Sequence, residues 1–110
     1  MFEVTPTDQY VLVKVTVEKL DAKVAATFKD DFTKIIDDHN RFVILDLCGV
    51  DFIDSSGLAA VVYCFKLTGI KDELAICASN ERVLHLFKLT RLHDMINIYG
   101  SVDEAIAALK

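Results

Sequence analysis

Two short apolar runs constrain the fold of this chain more than any other feature. Residues 42–47 and 74–78 carry a single polar side chain between them, Asp46. A strand that is buried on both faces reads as such a run, and this is typical of a parallel sheet covered by helices. Helical spacing of apolar residues follows each run, so the sequence predicts alternating strands and helices around a mostly parallel sheet.

The spacing of apolar residues also predicts the remaining elements. Valines alternate from residue 10 to residue 17, which indicates a half-buried strand. Asp21, Asn80 and Ser101 are suited to cap helices, the last within a capping box, and Gly69 is suited to end one. The predicted elements are strands at 2–5, 10–17, 42–47, 74–78 and 95–98, and helices at 21–38, 58–67, 81–89 and from 102.

The fold class is therefore α/β, in the order ββαβαβαβα. We expect a small mixed, mostly parallel sheet with about four helices, whose first two strands pair antiparallel at an edge. A chain of 110 residues has the length of one domain, so residues 1–110 are expected to form a single domain.

Composition excludes several classes of function. The net charge of −5 and the lack of a basic cluster argue against nucleic acid. No apolar run reaches the ~18–20 residues of a membrane span, and the first residues lack signal-peptide order, so we expect a cytoplasmic protein without membrane contact. Neither a metal nor another cofactor is expected, because the histidines share no ligand spacing and the cysteines are expected to be buried, reduced thiols: Cys48, Cys64 and Cys77.

The second predicted helix is apolar around its whole circumference, from residue 58 to residue 65. A helix that lies on a sheet buries only part of its surface, so the rest needs another cover. Two explanations stay open at this point. Either the first or third helix covers it, or part of it, with Ala59 and Tyr63, forms a docking surface for another protein.

The segment "DFIDSSGLAA" places two serines where a strand is predicted to become a helix. Asp54 or Ser55 can cap that helix, and Gly57 allows a close approach, but a cap leaves Ser56 unexplained. A nucleophile elbow would need a glycine two residues before the serine, and no phosphate-binding loop pattern occurs. The sequence therefore does not predict an enzyme.

A serine exposed at this corner suits regulation instead. A phosphate would add about −1.5 to −2 charges, and the start of a helix accommodates negative charge. Repulsion from Asp51 and Asp54 should oppose the phosphate about as much as the start of the helix favours it, so the fold should change little. A docked partner would have to desolvate an unmatched phosphate, which costs several kcal/mol.

The tract "VILDLCGVDFIDSSGL" closely resembles the phosphorylation-site segment of bacterial anti-sigma factor antagonists, which are small STAS-domain proteins, and "ELAICASNERVLHLFKLTRLHDMINIYGSVDEAIAAL" is similar to their C-terminal half. The resemblance covers the whole chain. It implies a protein that binds an anti-sigma factor, itself a serine kinase of the GHKL type, and is released when that kinase phosphorylates the residue matching Ser55. A metal-dependent serine/threonine phosphatase would reverse the modification.

The same resemblance implies that Asp54, Ser56 and Gly57 belong to the docking corner, and that Asp21 matches an acidic position near the kinase's nucleotide. The chain departs from the family in two places: Glu18-Lys19 replaces a usual Gly-Glu pair, and Arg91 stands where glycine is frequent. The alternative implied by the resemblance is a scaffold STAS subunit of a signalling or lipid-transport complex, in which Ser55 is not phosphorylated.

Overall fold

The computed structural model describes residues 1–39, 41–68 and 74–109. Seven strands and four helices follow in chain order, with a 3-10 helix at Leu92–Asp94. The strands are β1 (Phe2–Pro6), β2 (Tyr10–Val15), β3 (Lys19–Leu20), β4 (Phe42–Asp46), β5 (Phe52–Ile53), β6 (Leu74–Cys77) and β7 (Asn97–Tyr99). The helices are α1 (Ala25–Asp38), α2 (Ser55–Thr68), α3 (Glu81–Leu89) and α4 (Val102–Ala108).

The main sheet has five strands in the order β1-β2-β4-β6-β7. The first strand pairs antiparallel with the second at one edge, and every other pair in this sheet is parallel. The predicted fold class, a mostly parallel α/β sheet with four helices, is confirmed.

Two strands were not predicted. The short β3 and β5 pair in parallel as a separate two-stranded sheet, with Lys19 opposite Phe52 and Leu20 opposite Ile53. The Asp51 N–H donates to the Glu18 carbonyl at 2.9 Å and extends this pairing. The small sheet connects the segments that lead into α1 and α2, and it therefore positions the start of both helices.

The strand β4 shows why an apolar run marks the centre of this sheet. Val43 and Leu45 belong to a core cluster with the buried phenylalanines of α1, Phe28 and Phe32. Ile44 points to the opposite face and packs in a second cluster that includes Ala105 of α4. Because both faces of the strand are covered, successive side chains are all buried, as expected for a parallel sheet.

The structure corrects the predicted start of α1. Asp21 does not cap this helix: α1 begins at Ala25, and the residue before it, Val24, makes no side-chain cap. Asp21 instead closes the preceding turn, because its Oδ1 accepts from the Lys23 N–H at 3.0 Å and its carbonyl accepts from the Ala25 N–H at 3.0 Å.

The caps of two later helices are confirmed. Asn80 Oδ1 accepts from the Arg82 N–H at 2.9 Å at the start of α3. At the start of α4, Ser101 Oγ accepts from the Glu104 N–H at 3.2 Å. The predicted helix end at Gly69 lies outside the described residues. The second helix begins at residue 55, three residues earlier than predicted.

Candidate functional site around Ser55

Asp54 caps α2 and joins it to the loop that precedes α1. Its Oδ1 accepts from the Gly57 N–H at 2.8 Å, and its Oδ2 accepts from the Ala22 N–H at 3.1 Å. The Asp54 N–H also donates to the Leu20 carbonyl at 3.2 Å. Of the two cap residues that the sequence allowed, the structure selects Asp54, so the Ser55 hydroxyl is not needed for this bond.

Ser55 is the first residue of α2 and is exposed, whereas Ser56 is half-buried. The neighbouring carboxylate of Asp54 is half-buried and engaged on both oxygens. Ser55 is therefore the serine of the pair whose hydroxyl another protein can reach more readily.

Gly57 is buried, and the close approach that it permits lies within the chain. A β-carbon at this position would overlap the carbonyl oxygen of Leu20, at the end of β3. The prediction that Gly57 touches a partner stays untested. Its role in the structure is to let the first turn of α2 pack against the small sheet.

A groove of about 460 Å³ runs between α1 and α2 and reaches Ser55. It brings Ser55, Ala59 and Tyr63 together at spacings of four residues along α2. Four further residues line this groove and were not predicted from the sequence: Leu58, Val62, Lys66 and Lys29. Leu58 and Val62 lie between the predicted positions on α2, Lys66 lies further along α2, and Lys29 is on α1.

Contacts between α1 and α2 show what covers one side of the apolar helix, and the docking role predicted for Ala59 and Tyr63 stays a prediction. The hydroxyls of Thr33 on α1 and Tyr63 on α2 lie 3.1 Å apart in a hydrogen bond. Lys29 Nζ stands 5.8 Å from the centroid of the Tyr63 ring, within cation–π range. The first helix thus covers one side of α2, while Ala59 remains exposed. Tyr63 is half-buried and held in place by α1.

Asp21 lies on the other side of the corner. It is half-buried and lines a groove of about 610 Å³ with residues of the small sheet and of α3. The other lining residues are Lys19, Asp51, Phe52, Asn80 and Arg82. The predicted site residues therefore divide between two sides, with Ala59 and Tyr63 towards α1 and Asp21 towards α3. Asp54 links the two sides through its bonds to Gly57 and Ala22.

The cysteines are free thiols; Cys64 and Cys77 are fully buried as predicted, whereas the prediction is wrong for Cys48, which is only partly buried. Burial raises the pKa of Cys64, and burial together with the nearby charges of Cys48 and Asp46 raises the pKa of Cys77 to about 12. Burial, and a bond to Asp46, also raise the pKa of Cys48. These thiols are therefore protonated at neutral pH and poor nucleophiles.

Within residues 1–39, 41–68 and 74–109, no group of three or more histidine, cysteine or acidic side chains is placed to hold a metal ion. Over the same described ranges, the longest apolar helices fall short of what a bilayer crossing requires.

The family of the chain follows from comparison with known proteins. Residues 2–105 match the model of the STAS domain. BtrV of Bordetella bronchiseptica, named as an anti-sigma factor antagonist, is 30% identical over 103 residues, which are 93% of this chain and 82% of that protein. The anti-sigma-B factor antagonist of Staphylococcus aureus is 31% identical over 97 residues, which are 87% of this chain and 89% of that protein. The chain belongs to the STAS domain family.

Solved structures share its fold. An anti-sigma factor antagonist from Mycobacterium paratuberculosis superposes with a TM-score of 0.88 at 21% identity, over 99% of this chain and 92% of that one. SpoIIAA superposes in its unphosphorylated form with a TM-score of 0.76, over 99% of this chain and 96% of that one. Its phosphorylated form, from Bacillus, gives 0.70 over the full length of both chains, and both forms are 17% identical to this chain.

Proposed function

We propose that this chain is an anti-sigma factor antagonist whose affinity for its anti-sigma factor is controlled by phosphorylation of Ser55. One observation carries the proposal: Ser55 is exposed at the first position of α2, while the cap is provided by Asp54. The names of the relatives support the role, because proteins at 30% and 31% identity are named antagonists of anti-sigma factors.

Phosphorylation at this position is compatible with an unchanged fold. The start of α2 favours a negative charge by roughly 0.3–1 kcal/mol, and the carboxylates of Asp51 and Asp54 oppose it by a similar amount. The cap of α2 uses Asp54, so modifying Ser55 breaks no bond of that cap. A protein of the same fold, SpoIIAA, has been solved in a phosphorylated form.

The same phosphate has a large effect on a bound partner. A phosphate of about −1.5 to −2 charges that is buried without a matching cation costs several kcal/mol of desolvation. A change of about 4 kcal/mol lowers affinity roughly a thousandfold. The modification therefore acts on the complex rather than on the fold, and this difference is what a binding switch requires.

The partner in this proposal is a GHKL-type serine kinase that is also the anti-sigma factor, and a serine/threonine phosphatase restores Ser55. The chain itself acts as a binding protein without catalysis of its own, in the cytoplasm. Asp54, Ser56 and Ala59 contribute to the docked surface. Asp21 contributes from the α3 side, beside Asp51 and Phe52.

The test uses the GHKL-type kinase encoded in the same genome. With ATP, wild type and Ser56→Ala should gain one phosphate by intact-mass spectrometry, and Ser55→Ala should gain none. In titration calorimetry, Ser55→Ala should bind like the unphosphorylated wild type. Ser55→Asp should fold with similar stability and bind at least tenfold more weakly.

Three results would contradict the proposal. Phosphate on Ser56, or equal affinity of Ser55→Asp and wild type, would refute control through Ser55. If Ser55 carries no phosphate in protein from its native cells, with or without phosphatase treatment, the chain is a scaffold STAS subunit instead.

A further inference from the structure

A third groove, of about 340 Å³, lies between β5 and α3 on the side of the corner that faces away from α1. We call it the β5–α3 groove; its lining residues are Asp51, Phe52, Ile53, Arg82, Val83, His85, Leu86 and Leu89. The side chains of Phe52 and Leu89 are 47% and 67% exposed. Two of the four large exposed hydrophobic residues in the described part of the chain thus line one groove.

The core of the domain does not account for these exposed side chains. On α3 the buried positions are Val83 and Phe87, which pack into the main core. Leu86 is partly buried against the same core, whereas Leu89, one turn further along α3, is exposed and borders the groove. Exposed apolar side chains that cluster, rather than scatter, indicate a surface that another molecule covers.

Basic side chains follow the α3 edge of this groove. On α3, Arg82 and His85 line this groove, and Lys88 lines the neighbouring groove together with Glu81. Asp51 lines the β5 side, and in the adjoining groove Lys19 lies beside Phe52 and Arg82 with Asp21 and Asp51. The charged residues of α3 are Glu81, Arg82 and Lys88, so this helix carries a positive excess in a chain whose net charge is −5. A segment with acidic side chains complements this edge and is repelled by much of the remaining surface.

We propose that the β5–α3 groove receives an amphipathic segment of the anti-sigma factor, with an apolar anchor between Phe52 and Leu89 and acidic side chains along α3. This inference rests on the proposed function. The groove is continuous with the proposed docking corner, because Phe52 precedes Ser55 by three residues and β5 leads directly into α2. The partner then contacts both sides of the corner, and the phosphate on Ser55 stands between the two contacts.

The β5–α3 groove does not include Ser55, so phosphorylation of Ser55 should not change the contact made in the groove. It adds affinity to the unphosphorylated and the phosphorylated complex alike, so its loss should lower both affinities by a similar factor. Contacts made only near the Ser55 hydroxyl would not have this property.

The experiment measures binding of the same-genome GHKL-type kinase to Phe52→Ser and to Leu89→Ser by titration calorimetry. Each should weaken binding at least tenfold, as expected when an apolar anchor at an interface is removed. Met95→Ser is the matched control, because Met95 is 55% exposed and does not line the groove. It should bind within twofold of wild type, and thermal unfolding should show that all three variants are folded.

Charge reversal tests the acidic character of the segment. Arg82→Glu combined with Lys88→Glu should weaken binding at least tenfold at low salt and reduce its dependence on salt. Lys34→Glu, on the exposed side of α1, is the control and should change affinity less than twofold. A photo-reactive phenylalanine analogue at position 52 should cross-link to a kinase segment that contains both apolar and acidic residues.

The outcomes separate this inference from the proposed function. If Ser55→Asp loses binding while Phe52→Ser and Leu89→Ser bind as wild type, the groove is not part of the interface and the switch stands. If wild type neither binds the kinase nor is phosphorylated, the proposed function is wrong. The proposal that a segment of the anti-sigma factor occupies the groove is then wrong as well. If the protein forms a dimer that Phe52→Ser dissociates in sedimentation equilibrium, the groove is a contact between copies and the inference is wrong.

Discussion

Gly57 and Leu20 are in direct contact across the junction of α2 and the small β3–β5 sheet. A β-carbon on Gly57 would overlap the Leu20 carbonyl oxygen and approach the Leu20 side chain as well. The first turn of α2 therefore packs on the backbone of β3, and this contact, together with the cap by Asp54, places Ser55 at the surface.

Gly57→Ala should lower the free energy of unfolding by about 1–3 kcal/mol, as expected when an added carbon is forced against fixed backbone in a packed site. Urea denaturation followed by circular dichroism gives this value. Gly49→Ala is the matched control, since the nearest atom to a β-carbon there, the Val15 carbonyl oxygen, is at 3.9 Å. The control should change stability by less than about 1 kcal/mol. Equal effects of the two substitutions would contradict the close contact with Leu20.

Arg91 has a left-handed backbone conformation, with φ 60° and ψ 23°, at the position where the resembled family frequently has glycine. A residue with a β-carbon is strained there by roughly 1–2 kcal/mol. Arg91→Gly should raise the free energy of unfolding by about 0.5–1 kcal/mol, despite the loss of an exposed ion pair with Asp94 at 2.9 Å.

Arg91→Ala is the control for this substitution in the same denaturation experiment. It removes the same ion pair but keeps the β-carbon, so it should give no gain. In both variants the pKa of Asp94 should rise, because the hydrogen bond from Arg91 is what chiefly lowers it. A glycine variant that is no more stable than the alanine variant would show that the backbone at residue 91 is unstrained.

The fold was predictable where burial leaves a repeating pattern. The runs that became β4 and β6 are buried on both faces, so their side chains had to be apolar at nearly every position. Asn80 was recognisable as a cap because its short side chain reaches the N–H groups at the start of α3. These signals depend on neighbouring residues only, and the structure confirms the strands and the cap that they predict.

The elements that were missed depend on contacts between distant parts of the chain. Each strand of the small sheet has only two residues, of which one is buried: Leu20 in β3 and Ile53 in β5. A segment of two residues is too short to show periodicity, and only the pairing of β3 with β5 defines the two segments as strands. The error at Asp21 has a similar cause, because an acidic residue that closes a turn and one that caps a helix look the same in sequence.

The candidate site was predictable in part. Ser55 and its neighbours form one continuous motif, so the corner could be located from sequence. The β5–α3 groove could not, because Phe52 and Leu89 are far apart in the chain and nothing in their local pattern shows that they are exposed.

Lys29 should interact with a phosphate on Ser55, given the proposed modification. Both residues line the same groove between α1 and α2, together with the small side chain of Ala59. In the phosphorylated protein, Lys29→Met should raise the pKa of the phosphate by roughly 0.2–0.7, the equivalent of an exposed ion pair of 0.2–1 kcal/mol. A titration followed by phosphorus NMR measures it.

Lys66→Met provides the comparison for Lys29→Met. Lys66 lines the same groove but lies eleven residues beyond Ser55 on α2, a rise of about 16 Å. Screening should make its effect on the phosphate pKa much smaller. If the two lysine variants shift that pKa equally, Lys29 makes no specific contact with the phosphate.

The buried thiols should make the protein less stable at alkaline pH. Burial raises the pKa of Cys77 from 9.0 to about 12, so the folded chain keeps a proton that the unfolded chain loses above pH 9. Stability from this group is present below pH 9 and is lost as the pH rises from 9 towards 12. Between pH 8 and pH 10, Cys77→Ala should therefore lose about 1.4 kcal/mol less of its free energy of unfolding than wild type does. Urea denaturation with a reducing agent at both pH values measures the two losses, and identical losses would show that Cys77 ionises equally readily in both states.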